Sequence, residues 1–116
     1  MEHKESEKYI KNAEALQLEG NNSEAIVSYL KSLEFEPENL ITWYKLGLIY
    51  HDMNNFTKAI ECYEKVLGYA PDFTDAIFSS ANAYYSLGDV DRAMDLYQVG
   101  LEKAPDMALS DKISVQ

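Results

Sequence analysis

An all-α solenoid of three 34-residue helix-turn-helix repeats, ending in a short C-terminal capping segment, is the fold that the sequence predicts. Three observations predict it. The only prolines, Pro37, Pro71 and Pro105, are spaced by 34 residues each. Ala25, Ala59 and Ala93 keep that spacing, as do the aromatic residues Tyr29, Tyr63 and Tyr97. The small residues Ala13, Gly47 and Ala81 repeat it once more, in phase with Gly20, Asn54 and Gly88. A period of this length belongs to stacked helix pairs, and no strand-type alternation persists long enough to compete.

Phasing on the prolines divides the chain into a flexible N-terminus at 1–5, repeats at 6–39, 40–73 and 74–107, and a partial capping helix or tail at 108–116. Each repeat opens with about fourteen residues of helical periodicity; in the second, Trp43, Leu46, Gly47 and Tyr50 share one face. Gly20-Asn21-Asn22, Asn54-Asn55 and Gly88-Asp89 supply turn residues that tolerate a left-handed backbone. Ser23, Thr57 and Asp91 then stand where a second helix needs a side-chain cap. That helix ends ahead of the proline, because the residue before proline disfavours helical geometry. The small residues let facing helices approach, and Tyr and Trp fill the surrounding space. Phe35 and Tyr69 occupy a further packing position in the first two repeats, and Lys103 replaces them in the third. A fourth repeat would place Asp111, Ser114 and Val115 at its packing positions, so the array stops. If the cap is inadequate, Met94, Leu101 and Met107 stay partly exposed and an end-to-end homodimer is expected.

Composition narrows the function. The chain has 116 residues, a formal charge of −10, one Cys and 47% hydrophobic residues. That describes one folded domain without a disulfide or a multi-cysteine zinc site. The acidity argues against binding a phosphate backbone, and no apolar run is long enough to insert in a membrane. A charged start with no apolar signal core points to a cytoplasmic protein.

The repeats resemble the tetratricopeptide repeat, whose pattern runs W-x2-L-G-x2-Y, then A-x3-F-x2-A, then P. The second repeat matches through Trp43, Leu46, Gly47, Tyr50, Ala59, Tyr63, Val66 and Pro71. The third matches through Ile77, Ala81, Tyr84, Ala93, Tyr97, Gly100 and Pro105, and the first through Tyr9, Ala13, Leu16, Ala25, Tyr29 and Pro37. Asn12 and Ser80 depart from the pattern where it has Leu. Asn12 is accounted for by having no earlier repeat to pack against; Ser80 implies only looser packing.

In this family the first helices of successive repeats line a concave groove. Carried onto this sequence, the resemblance implies a groove of Ile10, Glu14 and Gln17 from the first repeat. Ile41, Tyr44, Lys45, Leu48 and His51 come from the second, and Asp75, Phe78, Asn82 and Tyr85 from the third. Ile10, Tyr44 and Phe78 lie 34 residues apart and are expected to form an exposed apolar ladder. The co-chaperone subtype grips acidic tails of heat-shock chaperones with a two-carboxylate clamp of Lys, Asn, Asn, Lys and Arg. Ile10, Glu14, Lys45, Asp75 and Ser79 stand at those positions, so the clamp is absent and such tails are not the expected partner. The asparagine ladder of glycosyltransferase-type arrays is missing too, since Lys11, Lys45 and Ser79 hold its places. With Glu7, Lys11 and Asp52 added, the groove carries four acids and two lysines. That favours a partner segment with apolar anchors and basic residues.

Catalytic and metal chemistry have no candidate residues. Cys62 has no His or Cys at ligand spacing, His51 stands beside Asp52 without a second His, and the glycines occur singly. Asp89 and Asp91 read as helix-start acids. The expectation is a protein–protein interaction module, a scaffold or adaptor with no enzymatic activity and no cofactor, which binds a partner's peptide in its groove. A self-associating adaptor using helix ends or the convex face, and a regulatory fragment of a larger protein, stay open as alternatives.

Overall fold

The computed structural model describes residues 2–104, which form six α-helices and the turns between them. In chain order these are α1 (Glu2–Leu18), α2 (Asn22–Phe35), α3 (Leu40–Asp52), α4 (Phe56–Tyr69), α5 (Thr74–Ser86) and α6 (Val90–Lys103). α1 pairs with α2, α3 with α4 and α5 with α6. The pairs then stack through α2 on α3 and α4 on α5. This is the α-solenoid of three helix pairs that the period implies. Pro105, Met107 and the expected capping segment at 108–116 lie outside the described residues.

The turn inside each pair is closed by one left-handed residue: Gly20 at φ 83°, Asn54 at φ 62° and Gly88 at φ 88°. Glycine accepts that conformation without a Cβ penalty, and Asn is among the few other residues that tolerate it. Each such residue ends its helix in a Schellman-type pattern, with the next amide reaching back to Leu16 O, Tyr50 O and Tyr84 O at 2.8–2.9 Å. The left-handed step reverses the chain at once, so the second helices start early. Their N-caps are Asn21, Asn55 and Asp89, two residues before the expected Ser23, Thr57 and Asp91. Asn55 Oδ1 and Asp89 Oδ1 accept from the backbone N–H of Lys58 and Arg92 at 3.3 Å, whereas Asn21 makes no such bond.

α1 differs from expectation at its start. Glu2–Glu5 belong to the helix instead of a loose terminus. His3 Nδ1 lies 3.1 Å from Glu36 Oε2, and the buried Ser6 and Ser32 hydroxyls meet at 2.8 Å, tying this end to the close of α2.

Small residues and tyrosines make the core as the pattern requires. Ala13, Ala25, Ala59, Ala81 and Ala93 are fully buried, as are Tyr29 and Tyr63. Phe35 stacks on Tyr9 with ring centroids 6.0 Å apart. Tyr69, expected at the equivalent packing position, is instead exposed. Asn12 is satisfied within its own pair: its Nδ2 donates to Ser28 Oγ at 3.0 Å, and Ser28 donates on to Tyr9 O at 2.9 Å. On α6, Met94 and Leu101 are exposed. Among the described residues no helix is long and apolar enough to cross a membrane.

Candidate functional site

The first helices of the three pairs form one layer. α3 touches α5 directly, whereas no comparable contact joins α2 to α4 or α4 to α6. The first-helix layer is the face to which the sequence assigns the groove. Two polar links cross it. Lys45 Nζ lies 2.7 Å from Glu14 Oε2, joining α3 to α1, and the Tyr44 and Ser79 hydroxyls lie 3.0 Å apart, joining α3 to α5.

The apolar ladder is recessed. Ile10 packs against the cluster containing Ala13, Tyr29 and Leu46. The Tyr44 ring sits 5.8 Å from Tyr63 and 5.5 Å from Phe73, centroid to centroid. Phe78 lies so close to Gly100 that a Cβ there would come within 2.7 Å of its ring. All three ladder residues are half-buried, which corrects the expectation of an exposed strip. The physical reason is that Phe73, ahead of α5, and Gly100, on α6, reach the ladder from other elements. The apolar groups that stand open on this layer are Ile41, Leu48 and Tyr85, with 52%, 37% and 61% of their surface exposed.

Polar groove residues fall into tethered and free groups. Gln17 Oε1 accepts from the Tyr29 hydroxyl at 2.5 Å, and Asn82 Oδ1 accepts from the Tyr97 hydroxyl. These bonds tie α1 to α2 and α5 to α6. The middle pair has no counterpart: the buried Tyr63 hydroxyl makes no bond of full geometry among the described residues, and its polar neighbour is Ser79 of α5 and not a residue of its own pair. His51 is half-buried, with its ring edge-to-face on Phe56 at 5.0 Å. Asp75 is exposed in the first turn of α5.

Ser79 and Tyr63 also belong to the floor of this layer. Ser79 carried a signal in its 34-residue spacing from Lys45, but Tyr63 reads as plain core from its template position. Phe73 and Gly100 gave no signal of groove contact, because nothing in the period says which neighbouring elements come close.

Burial also sets the chemistry of Cys62. Desolvation pushes its thiol up from 9.0 to about 12, and the Glu61 carboxylate adds to the shift. Desolvation likewise raises Tyr29 to about 12 and moves Tyr63 upward. The folded chain holds these protons more tightly than the unfolded chain does. Their contribution to stability is therefore complete below about pH 9 and is lost as pH rises toward 12. Native Cys62 is expected to resist iodoacetamide at pH 8 and to react at the rate of a free thiol in urea. Mass spectrometry of the alkylated fraction checks this, and equal rates in both states would refute it. Among the described residues no cluster of three or more His, Cys, Asp or Glu is placed to hold a metal ion.

Comparison with known proteins places this geometry. Family models described as tetratricopeptide repeat match residues 41–73 and 75–106, and one described as TPR repeat matches residues 13–54. No curated protein matches the chain significantly. Among solved structures, the chain is similar to the MamA protein, with 31% identity and a TM-score of 0.82 over 89% of its own length. It spans 56% of that MamA chain. It also superimposes on the N-terminal domain of stress-induced protein-1 from C. elegans, with a TM-score of 0.86, 18% identity, and coverage of 97% of this chain and 94% of that one. The first tetratricopeptide module of Spaghetti (RPAP3), bound to the HSP90 peptide SRMEEVD, gives a TM-score of 0.81 at 19% identity, covering 89% of this chain and 82% of that one. With three repeats matched in tandem and helices paired and stacked as the pattern demands, the chain belongs to the tetratricopeptide-repeat family.

Proposed function

We propose that this chain is a protein-interaction module that holds an extended segment of a partner protein along the α1–α3–α5 layer. The observation that carries the reading is the exposure of Ile41, Leu48 and Tyr85 on a floor already fastened by the Glu14–Lys45 and Tyr44–Ser79 links. Such a surface is largely preformed, so little ordering of the module opposes binding. Recognition needs no covalent step.

Charge indicates the kind of segment. The Spaghetti module is bound to an acidic peptide. In this chain Lys45 is engaged by Glu14 and Ser79 by Tyr44, and Asp75 is exposed with no ion-pair partner among the described residues. An acidic tail would meet repulsion, whereas a segment with one or two apolar anchors and basic residues complements the layer and the −10 body.

Ile41 and Tyr85 are the positions to test, because Tyr44 and Phe78 also serve packing. The double variant Ile41→Ala, Tyr85→Ala is expected to weaken capture of basic-apolar peptides on an array by about tenfold or more. Its stability should stay within about 0.5 kcal/mol of the parent, as for exposed positions generally. Preference for acidic peptides, or capture unchanged by the double variant, would overturn the reading.

A further inference from the structure

Each joint between helix pairs is made of two unlike surfaces, and the two ends of the chain display one of each. At the second joint Ile60 and Leu67 of α4 flank the seam on one side, with Ser80, Tyr84 and Leu96 of the third pair on the other. Moved one repeat forward, the first side becomes Met94 and Leu101 of α6. Moved two repeats back, the second side becomes Asn12, Leu16 and Ser28 of the first pair. Those three, together with Tyr9 and Val27, line a shallow surface of their own.

Exposure follows position in the array. Ile60 is 6% exposed and its counterpart Met94 59%; Leu33 is 5% exposed and its counterpart Leu101 49%. On the opposite side of the joints Leu46 and Ser80 are buried, whereas Asn12 is exposed. These positions are dry wherever a neighbouring pair stands beside them and wet at the ends. At the first joint Trp43 and Leu46 of α3 pack in one cluster with Ile26 and Leu33 of α2. After α6 the same register falls on Asp111 and Ser114, so the sequence there offers no apolar counterpart to Trp43 and Leu46. The first pair of another copy does.

We infer that copies of this chain stack head to tail, the Met94–Leu101 face of α6 in one copy on the Tyr9–Leu16 face of α1 in the next. Tyr9 stands in the register of Trp43, and Leu16 in that of Tyr50, so the contact repeats the apolar part of the first joint. Asn12 brings a polar group to it, as Ser80 does at the second joint, but the Asn12 amide already donates to Ser28 at 3.0 Å within its own pair. Removing two apolar faces from water drives the association. The −10 charge of each copy opposes it, and salt limits that repulsion to a range of about 8 Å at 0.15 M. Because the two surfaces differ, the contact is heterologous and each added copy leaves a free surface at both ends. Growth is therefore open, unlike the homodimer expected from the sequence, and the α1–α3–α5 layer lengthens with every copy.

Analytical ultracentrifugation of the full chain tests this, over about 10–500 μM protein in about 0.3 M salt. The average mass is expected to rise with concentration from one copy to beyond two. The double variant Met94→Glu, Leu101→Glu charges only the α6 face, and Asn12→Glu, Val27→Glu charges only the opposite face, all at exposed positions. Each variant alone should stay a single copy with parental helicity by circular dichroism. Their equimolar mixture should form a one-to-one dimer and nothing larger, because one intact surface of each kind remains. That recovery also shows that both variants fold. A parent that stays a single copy throughout, as when its own residues after α6 cover the face, would overturn the inference. So would a closed dimer that survives Asn12→Glu, Val27→Glu, or a mixture that stays monomeric.

Discussion

Replacing Tyr63 by Ala is expected to remove about 3–5 kcal/mol of stability, a large part of the roughly 5–15 kcal/mol available to a domain. Tyr63 is fully buried, clusters with Ala59, Ile60 and Ala83, and faces Tyr44 at 5.8 Å. No neighbour can swing in to fill the volume, because the side chains around it are themselves fixed by packing. The hydroxyl is a different matter. It makes no hydrogen bond of full geometry among the described residues and feels only the neighbouring Ser79 hydroxyl, so Tyr63→Phe removes a buried polar atom without breaking a strong bond. That variant should match the parent within about 0.5 kcal/mol or exceed it. Tyr29→Phe breaks a 2.5 Å bond to Gln17 and should lose about 1 kcal/mol. Urea unfolding followed by circular dichroism orders the three variants. A Tyr63→Phe loss equal to that of Tyr29→Phe would show that the central hydroxyl is satisfied after all.

Gly47→Ala is expected to lose about 1–2 kcal/mol, although alanine is the better helix former by about 1 kcal/mol. A Cβ at position 47 would lie 2.5 Å from Tyr63 Cε1, 2.9 Å from Cδ1 and 3.2 Å from Cys62 Cβ. Relieving such overlap in a packed interior costs about 1–3 kcal/mol or more, which outweighs the propensity gain. Gly68, on the same pair of helices, has no atom within 4 Å of the corresponding point. Gly68→Ala should therefore gain about 0.5–1 kcal/mol. Thermal unfolding of the two variants must move in opposite directions. A stabilised Gly47→Ala would mean that α3 and α4 are not held at this separation.

Ala13 and Ala81 occupy the place of Gly47 in the outer repeats, and this difference was visible in the sequence from the start. Its meaning was not. The period identified six helices and their pairing, because prolines, small residues and aromatic residues recur in one phase. It placed Ser23, Thr57 and Asp91 as caps two residues late, since residue preference alone does not say how quickly Gly20, Asn54 and Gly88 turn the chain. The ladder Ile10–Tyr44–Phe78 was found for the same reason as the helices, a shared register. Its depth depends on Phe73 and Gly100, which approach only through the stacking of one pair on the next. Ser80 was legible as an exception to the pattern, and the open pocket beside it became visible only with α4 and α6 in place.

The three pairs are not joined equally. The α4–α5 interface is more extensive than the α2–α3 interface, and each joint adds an exposed ion pair, Lys45–Glu14 at the first and Lys103–Asp72 at the second. In a nearest-neighbour description of a repeat array, the second and third pairs act as one stiff block, with the first as a leaf on a weaker coupling. Salt screens the exposed ion pairs of both joints, so at high ionic strength the unequal packing of the two joints is what remains. The first-helix layer is then expected to be firmer under Tyr85 and Phe78 than toward Ile10 and Glu14.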